Sequence, residues 1–270
     1  MPLYIVPTPI GNLEDITLRA LRVLREVVLI AAEDTRTTRV LLEHYDIAVP
    51  MISYHEHNKL ARIDDILDVL ERGDVALVSD AGTPGLSDPG YELINACLKA
   101  GVEVVPLPGA TAAITALVAS GLPTDRFTFL GFLPRKKHAL YRELQRVADV
   151  RHTLIAYESP YRLLGTLEVI CDVMGRSRPV CVARELTKMY EEFFRGTAEE
   201  ALEYFTGQPV RGEVTLIIGG QPHRDAVWSE AEVREALQAR LAAGESRSAA
   251  ARAVAVESGW NKRDVYALKL

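Results

Sequence analysis

The chain of 270 residues exceeds the usual size of one domain, and its 48% hydrophobic content suffices for more than one core. Charged residues at 25%, with no Ser-, Gly- or Gln-rich tract, exclude extended disorder. The net charge of -6 argues on its face against a nucleic-acid partner, yet all of the acidity lies early: residues 1–122 carry 9 Lys+Arg and 17 Asp+Glu, residues 123–222 carry 14 and 13, and residues 223–270 carry 8 and 7.

In chain order, residues 3–7, 27–32, 51–54, 74–80 and 103–107 are short β-branched apolar runs, each followed by a polar or glycine-bearing loop and an amphipathic stretch. That alternation predicts a mostly parallel α/β sheet over residues 1–122. The helix from Thr17 places Leu18, Leu21, Leu24 and Val28 at helical spacing, with Arg19, Arg22 and Arg25 facing away. Residues 121–125, Gly-Leu-Pro-Thr-Asp, read as a hinge. A second α/β domain, 123–222, follows, with strands at 127–133, 153–157, 180–183, 190–195 and 214–218 and helices at 138–149 and 161–174. A further helix is capped by Thr197, with Glu200 three residues on as its capping-box partner. This domain is expected to be mixed rather than purely parallel. Residues 223–270 turn to Ala, Arg and Glu and predict a small helical appendage; 248–264 has a helix-turn-helix rhythm that reads as packing.

Cys97, Cys171 and Cys181 have no CxxC spacing, so neither a disulfide framework nor a zinc site is suggested, and a reducing cytoplasm fits. No basic segment leads into an apolar run at the start of the chain, and stretches such as 27–32 are too short to span a bilayer. The expectation is a cytoplasmic protein without a membrane anchor.

Ligands of open α/β sheets sit beyond the carboxyl ends of the strands. Four glycine- or proline-rich turns fall at such ends: 7–13, 79–90, 106–111 and 156–160. The third opens a helix, where free N–H groups favour an anion. Together they predict a ligand crevice. There is no GxxxxGK[ST] phosphate loop and no GxGxxG after the first strand, where Gly11 stands alone. His55-Glu56-His57 has the wrong spacing for two ligands on one helix face, so no metal is expected. Between 134 and 151, Arg135, Lys136, Lys137, Arg142, Arg146 and Arg151 face only Glu143 and Asp149. Such a cluster is either a solvated helix face or a phosphate-binding surface.

The opening Pro9-Ile10-Gly11-Asn12-Leu13-Glu14-Asp15-Ile16-Thr17-Leu18-Arg19-Ala20-Leu21 resembles the signature of the tetrapyrrole methylase superfamily. The motifs at 32–36, 54–58, 79–90, 108–112, 131–135, 157–162 and 184–188 resemble its branch that methylates 16S ribosomal RNA, over residues 3 to about 220. The resemblance implies a class III methyltransferase with its S-adenosyl-L-methionine crevice between two α/β domains. It further implies a homodimer that 2'-O-methylates a cytidine of 16S rRNA in the small ribosomal subunit. By position, Gly11, Asp80, Ala81, Gly82, Thr83, Pro84, Gly109, Ala110, Thr111, Tyr157, Gly212 and Glu213 would line the cofactor pocket. Tyr161 departs from the family's usual histidine, although either ring can stack or hydrogen-bond.

A ribose hydroxyl needs help to lose its proton. Glu33, Asp34, His57, Glu158 and Glu185 are the candidate bases in the matching motifs, and Asp34, Glu185 and Arg184 are taken as catalytic. Arg36, His57, Arg135, Lys136, Lys137 and Lys188 are taken as RNA-binding, with Arg247, Arg252, Lys262 and Arg263 as further phosphate contacts. Two other readings stay open: the same fold acting on a tetrapyrrole or other small acceptor, and a non-catalytic ribosome-binding factor.

Overall fold

A computed structural model describes residues 1–207, 209–221 and 228–268. The expected boundary at 222/223 lies outside the described residues. The described chain falls into two compact units, 1–220 and 221–270.

The first half of the larger unit carries β1 (Leu3–Ile5), α1 (Leu18–Glu26), β2 (Leu29–Ala32), α2 (Thr35–His44), β3 (Met51–Ser53), α3 (Lys59–Leu70), β4 (Val75–Val78), α4 (Tyr91–Lys99), β5 (Val104–Pro106) and α5 (Ala112–Ala119). Its five strands are all parallel, in the order β3-β2-β4-β1-β5. Helices cover both faces, which is why β2 and β4 are buried along their whole length and read as unbroken apolar runs. One core joins Leu21 and Leu24 to Ile30, Ala76 and Val78; the opposite one joins Ile66 and Leu93 to Leu3, Ile5 and Leu77.

Thr17 caps α1, accepting from the Ala20 N–H at 3.0 Å. The expected stripe on this helix is displaced. Leu18 and Val28 are exposed, and the buried face is Ala20, Leu21, Val23 and Leu24. At 3.6 residues per turn Leu18 points roughly 140° away from the centre of that face, and Val28 lies beyond the C-cap Val27.

The second half carries β6 (Phe127–Phe132), α6 (Lys137–Val147), β7 (Thr153–Glu158), α7 (Leu163–Met174), β8 (Pro179–Arg184), β9 (Glu192–Thr197), α8 (Ala198–Phe205) and β10 (Val214–Ile218). The sheet order is β6-β7-β10-β8-β9; only β6 and β7 run parallel, so the sheet is mixed as expected. The last strand, β10, enters the middle and is buried throughout. Thr197 and Glu200 form the expected capping box at the start of α8.

One face of this sheet packs on α6, α7 and α8. On the other face Ile155, Cys181, Ala183 and Ile217 pack against Ala113, Ala116 and Leu117 of α5, a helix from the first half. That shared core makes both sheets part of one compact unit and brings their loop ends together.

The smaller unit holds α9 (Glu230–Ala242), α10 (Arg247–Ser258) and α11 (Lys262–Ala267) around Val233, Leu237, Ala250, Ala251, Val254 and Val265. No helix among the described residues is long and apolar enough to cross a membrane.

Candidate functional site

The carboxyl-end loops of the parallel sheet are tied to one another. Thr8 and Gly82 exchange backbone hydrogen bonds at 2.9 and 3.0 Å, and the Thr8 hydroxyl donates to the Ser79 carbonyl at 3.0 Å. The Thr83 hydroxyl donates to the Ala110 carbonyl at 3.1 Å, fixing the 79–90 loop to the turn before α5. From the second half, the turn after β8 meets the first loop: the Asn12 N–H donates to the Thr187 hydroxyl at 3.1 Å.

These loops enclose a cavity of about 430 Å³, within the range of small-molecule sites. Ala81, Gly82, Thr83, Leu86 and Thr111 line it from the first half, Tyr157, Ser159, Gly212 and Glu213 from the second, and Glu33, Asp80 and Asp88 bring carboxylates to it. Beside it lies a more open groove of about 620 Å³ with Gly11, Asp34, Arg36, Thr37, Val40 and Lys188 on its walls. Ile10, Asp80, Ala81 and Glu213 line both spaces and so form their common wall.

The carboxylates divide by environment. Desolvation pushes Asp88 up to about 7, helped by the charges of Glu33 and Asp80 and partly offset by Ser79. Glu33 and Asp80 are also raised, chiefly by desolvation. They are linked: the Asp80 N–H donates to Glu33 Oε2 at 3.2 Å, and Asp80 Oδ1 accepts from the Asp34 N–H at 3.0 Å. Asp34 behaves oppositely. It caps α2 and lies in a fork with the Arg36 guanidinium, whose hydrogen bonds lower it to about 2. Its ionised form is therefore a weak base.

Glu185 is also committed. Partial burial opposes its ionisation, but the Lys188 ammonium at 2.9 Å and the Glu213 N–H at 3.0 Å, with Arg184 nearby, hold the carboxyl below its ordinary value. Lys188 bridges Glu185 and Glu213, the latter at 3.0 Å. Gly212, at φ 81, leaves room for this carboxylate: a Cβ there would lie 2.2 Å from Glu185 Cδ.

A third pocket, of about 420 Å³, is lined by Phe132, Leu133, Arg135, Ser159 and Arg162, and shares Phe132 and Ser159 with the central cavity. A register shift in the β6–β7 pairing between Phe129 and Phe132, with Gly131 at φ 66, turns Phe132 toward this edge.

Of the residues expected in the cofactor pocket, Asp80, Ala81, Gly82, Thr83, Thr111, Tyr157, Gly212 and Glu213 line the central cavity. Gly11 lines the neighbouring groove. Pro84, Gly109 and Ala110 line neither space; Gly109 packs on Pro7 and Ala110 receives Thr83. Asp34, Arg36 and Lys188 meet in the groove. Glu185 stands behind Lys188, while Arg184 pairs with Glu192 at 2.7 Å and donates to the Arg211 carbonyl. His57 lies on the loop after β3, donating its N–H to His55. Arg135 is in the third pocket, and Lys136 and Lys137 open α6. Glu158 is buried in an ion pair with Arg162 and accepts from the Thr166 hydroxyl at 2.6 Å. Arg247 is tied to backbone carbonyls of its own unit. Asp88 and Phe132 lie within the 79–90 and 131–135 motifs but were not singled out as site residues, because nothing in the sequence shows which members of a motif face a cavity. Among the described residues no group of three or more His, Cys, Asp or Glu is placed to hold a metal.

The profile described as Tetrapyrrole (Corrin/Porphyrin) Methylases matches residues 2–202. The chain belongs to the tetrapyrrole methylase family. Within the family it is similar to the protein named ribosomal RNA small subunit methyltransferase I from Synechocystis sp., 50% identical over 270 residues, which covers 99% of this chain and 97% of that one. A protein of the same name from Halalkalibacterium halodurans is 48% identical over 98% of this chain and 93% of its own. Among solved members of the family, uroporphyrin-III C-methyltransferase from Thermus thermophilus, in complex with S-adenyl homocysteine, aligns with a TM-score of 0.58 at 22% identity, covering 81% of this chain and 97% of that one. At that identity the likeness speaks for the fold alone.

Proposed function

We propose that the chain transfers a methyl group from S-adenosyl-L-methionine to the 2'-hydroxyl of a cytidine in 16S rRNA of the small ribosomal subunit, acting as a cytoplasmic homodimer. The observation that carries this is the wall shared by a cavity and a more open groove, which suits a small donor beside a large acceptor.

The cavity suits the donor. Its walls are apolar at Ile10, Leu86 and Tyr157, for a nucleoside, and acidic at Glu33, Asp80 and Asp88, for a molecule carrying positive charge. When bound, the donor supplies a methyl group on a cationic sulfur that leaves with the bonding electron pair as the new O–C bond forms. Little covalent work remains for the protein beyond alignment and proton removal. Asp80 is placed for the latter: it stands on the common wall, and desolvation raises its basicity. The hydroxyl proton passes to its carboxylate as oxygen attacks. Arg36 and Lys188, in the groove, hold the strand's phosphates, while Glu185 fixes Lys188. Asp34 orients Arg36 rather than taking the proton.

The relatives at 48 and 50% identity bear small-subunit rRNA names, whereas the tetrapyrrole enzyme matches at 22%, so the small-acceptor reading is not favoured. A binding factor without catalysis has no need of joined donor and acceptor spaces. The test is incubation with tritiated S-adenosylmethionine and, separately, small-subunit particles, naked 16S RNA and a porphyrinogen. Label is expected in RNA, within an alkali-resistant dinucleotide, because a 2'-O-methyl group blocks attack on the adjacent phosphodiester. Label in the porphyrinogen alone, or in none of the three, overturns the proposal. Sedimentation equilibrium tests the homodimer.

A further inference from the structure

The third pocket has no role in the proton removal proposed above, and it shares Phe132 and Ser159 with the central cavity. Its chemistry is unusual for a surface hollow. Phe132 is 60% exposed, and its ring meets Tyr157 edge-on at a centroid distance of 5.4 Å, which fixes the ring while leaving most of it to solvent. Tyr161, on the segment that walls the pocket at Ser159 and Arg162, is 93% exposed.

The two arginines differ. The Arg162 guanidinium donates twice to the Leu133 carbonyl at 3.3 Å and pairs with the buried Glu158 carboxylate. It is thus a neutralised, rigid part of the wall. Arg135 is exposed and makes no hydrogen bond or ion pair among the described residues, so its fork of donors is free. Lys136 then caps α6 with no side-chain hydrogen bond to the first turn; its carbonyl accepts from the Ala139 and Leu140 N–H groups, which leaves the Lys137 and His138 N–H groups of that eleven-residue helix beside Arg135.

An exposed aromatic face next to a free guanidinium and an open helix end matches a nucleotide, with a flat base at one end and an anion at the other. The pocket shares Phe132 and Ser159 with the central cavity and no residue with the groove, so a nucleotide bound in it would meet the site from a side other than the groove.

We propose that the pocket of Phe132, Leu133, Arg135, Ser159 and Arg162 receives one nucleotide of the acceptor RNA other than the methylated residue, its base stacked on Phe132 and its phosphate held by Arg135. This rests on the RNA reading above. It places part of the choice of acceptor in β6 and the α6 entrance, apart from Arg36 and Lys188.

The test compares binding of a short single-stranded RNA containing 2-aminopurine with an abasic oligomer of the same length. The wild-type chain should prefer the base-bearing strand by about tenfold or more. Phe132→Leu should erase that preference and Phe132→Tyr should keep it, which separates loss of stacking from misfolding. Arg135→Gln should weaken both oligomers alike and leave the Kd for S-adenosylmethionine unchanged. In methyl transfer, Phe132→Leu should raise KM for small-subunit particles far more than it lowers kcat. A wild-type preference and KM in Phe132→Leu overturn this proposal while the rRNA reading stands; absence of transfer by the wild-type chain overturns the rRNA reading itself.

Discussion

Gly212 and Glu185 compete for one volume: the Glu185 carboxylate occupies the space that any side chain at position 212 would need. Both backbones sit in the left-handed region, Gly212 at φ 81 and Glu185 at φ 52. This contact carries the second half's contribution to both spaces, since Glu213 lines each of them and Lys188 reaches the groove from the Glu185 turn.

Gly212→Ala should therefore act twice, by strain at positive φ of about 1 kcal/mol or more and by expelling the carboxylate that anchors Lys188. Donor affinity is expected to fall at least tenfold with a fall in Tm of a few degrees, read by calorimetry and thermal unfolding. Wild-type affinity in a folded Gly212→Ala chain would detach the Glu185 turn from the site.

Asp80→Asn retains an acceptor for the Asp34 N–H but removes the base. The expected loss in kcat is about 10²–10⁴, with donor Kd changed by much less. Wild-type kcat should rise with pH through the Asp80 ionisation, and that limb should vanish in the variant. A surviving limb assigns the proton elsewhere.

Asp88 gives a stability signature. Its folded-state pKa, about 7, lies above the unfolded carboxyl value, so between about pH 4 and 7 the folded chain holds a proton that the unfolded chain has lost. Stability contributed by this group should fall as pH rises through that window and level off above it. Asp88→Asn should become progressively more stable than wild type over the same range, by about 1–2 kcal/mol at pH 8 after allowance for solvent screening. Denaturant melts at pH 5 and pH 8 check the sign; a constant difference between them would place Asp88 in water.

Asp34→Asn tests the weak-base argument. Asparagine still caps α2, so the melting temperature should hold within a few degrees and single-turnover methyl transfer should drop less than tenfold. A loss above a hundredfold would return proton removal to Asp34.

Neutralising Arg135, Lys136 and Lys137 together should flatten the dependence of log K on log salt for single-stranded RNA by roughly 0.7 for each lost phosphate contact. An unaltered slope would make this segment a solvated helix face.

How far the residues spoke for themselves depended on whether chemistry or topology was in question. The parallel first sheet and the mixed second sheet followed from apolar runs and turn residues, and the Thr197 capping box from two side chains; the strand order did not. The loop at 79–90 was legible as a turn at a strand end from its glycines and prolines, and Asp80, Ala81, Gly82 and Thr83 of it line the central cavity. What escaped were properties of neighbours: Leu18 matched a helical spacing yet faced outward, Asp88 needed burial with Glu33 and Asp80 beside it, and Phe132 is exposed at a register shift in the β6–β7 pairing. Asp34 and Glu185 were recognisable as charged groups, but the arginine and lysine that commit them are visible only in three dimensions.

The position of β10 sets a timetable for synthesis. The strand that follows Gly212 and Glu213 occupies the middle of the second sheet, between β7 and β8, both made earlier. A nascent chain arrested before residue 214 has these two strands with nothing to join them and a donor cavity missing one wall.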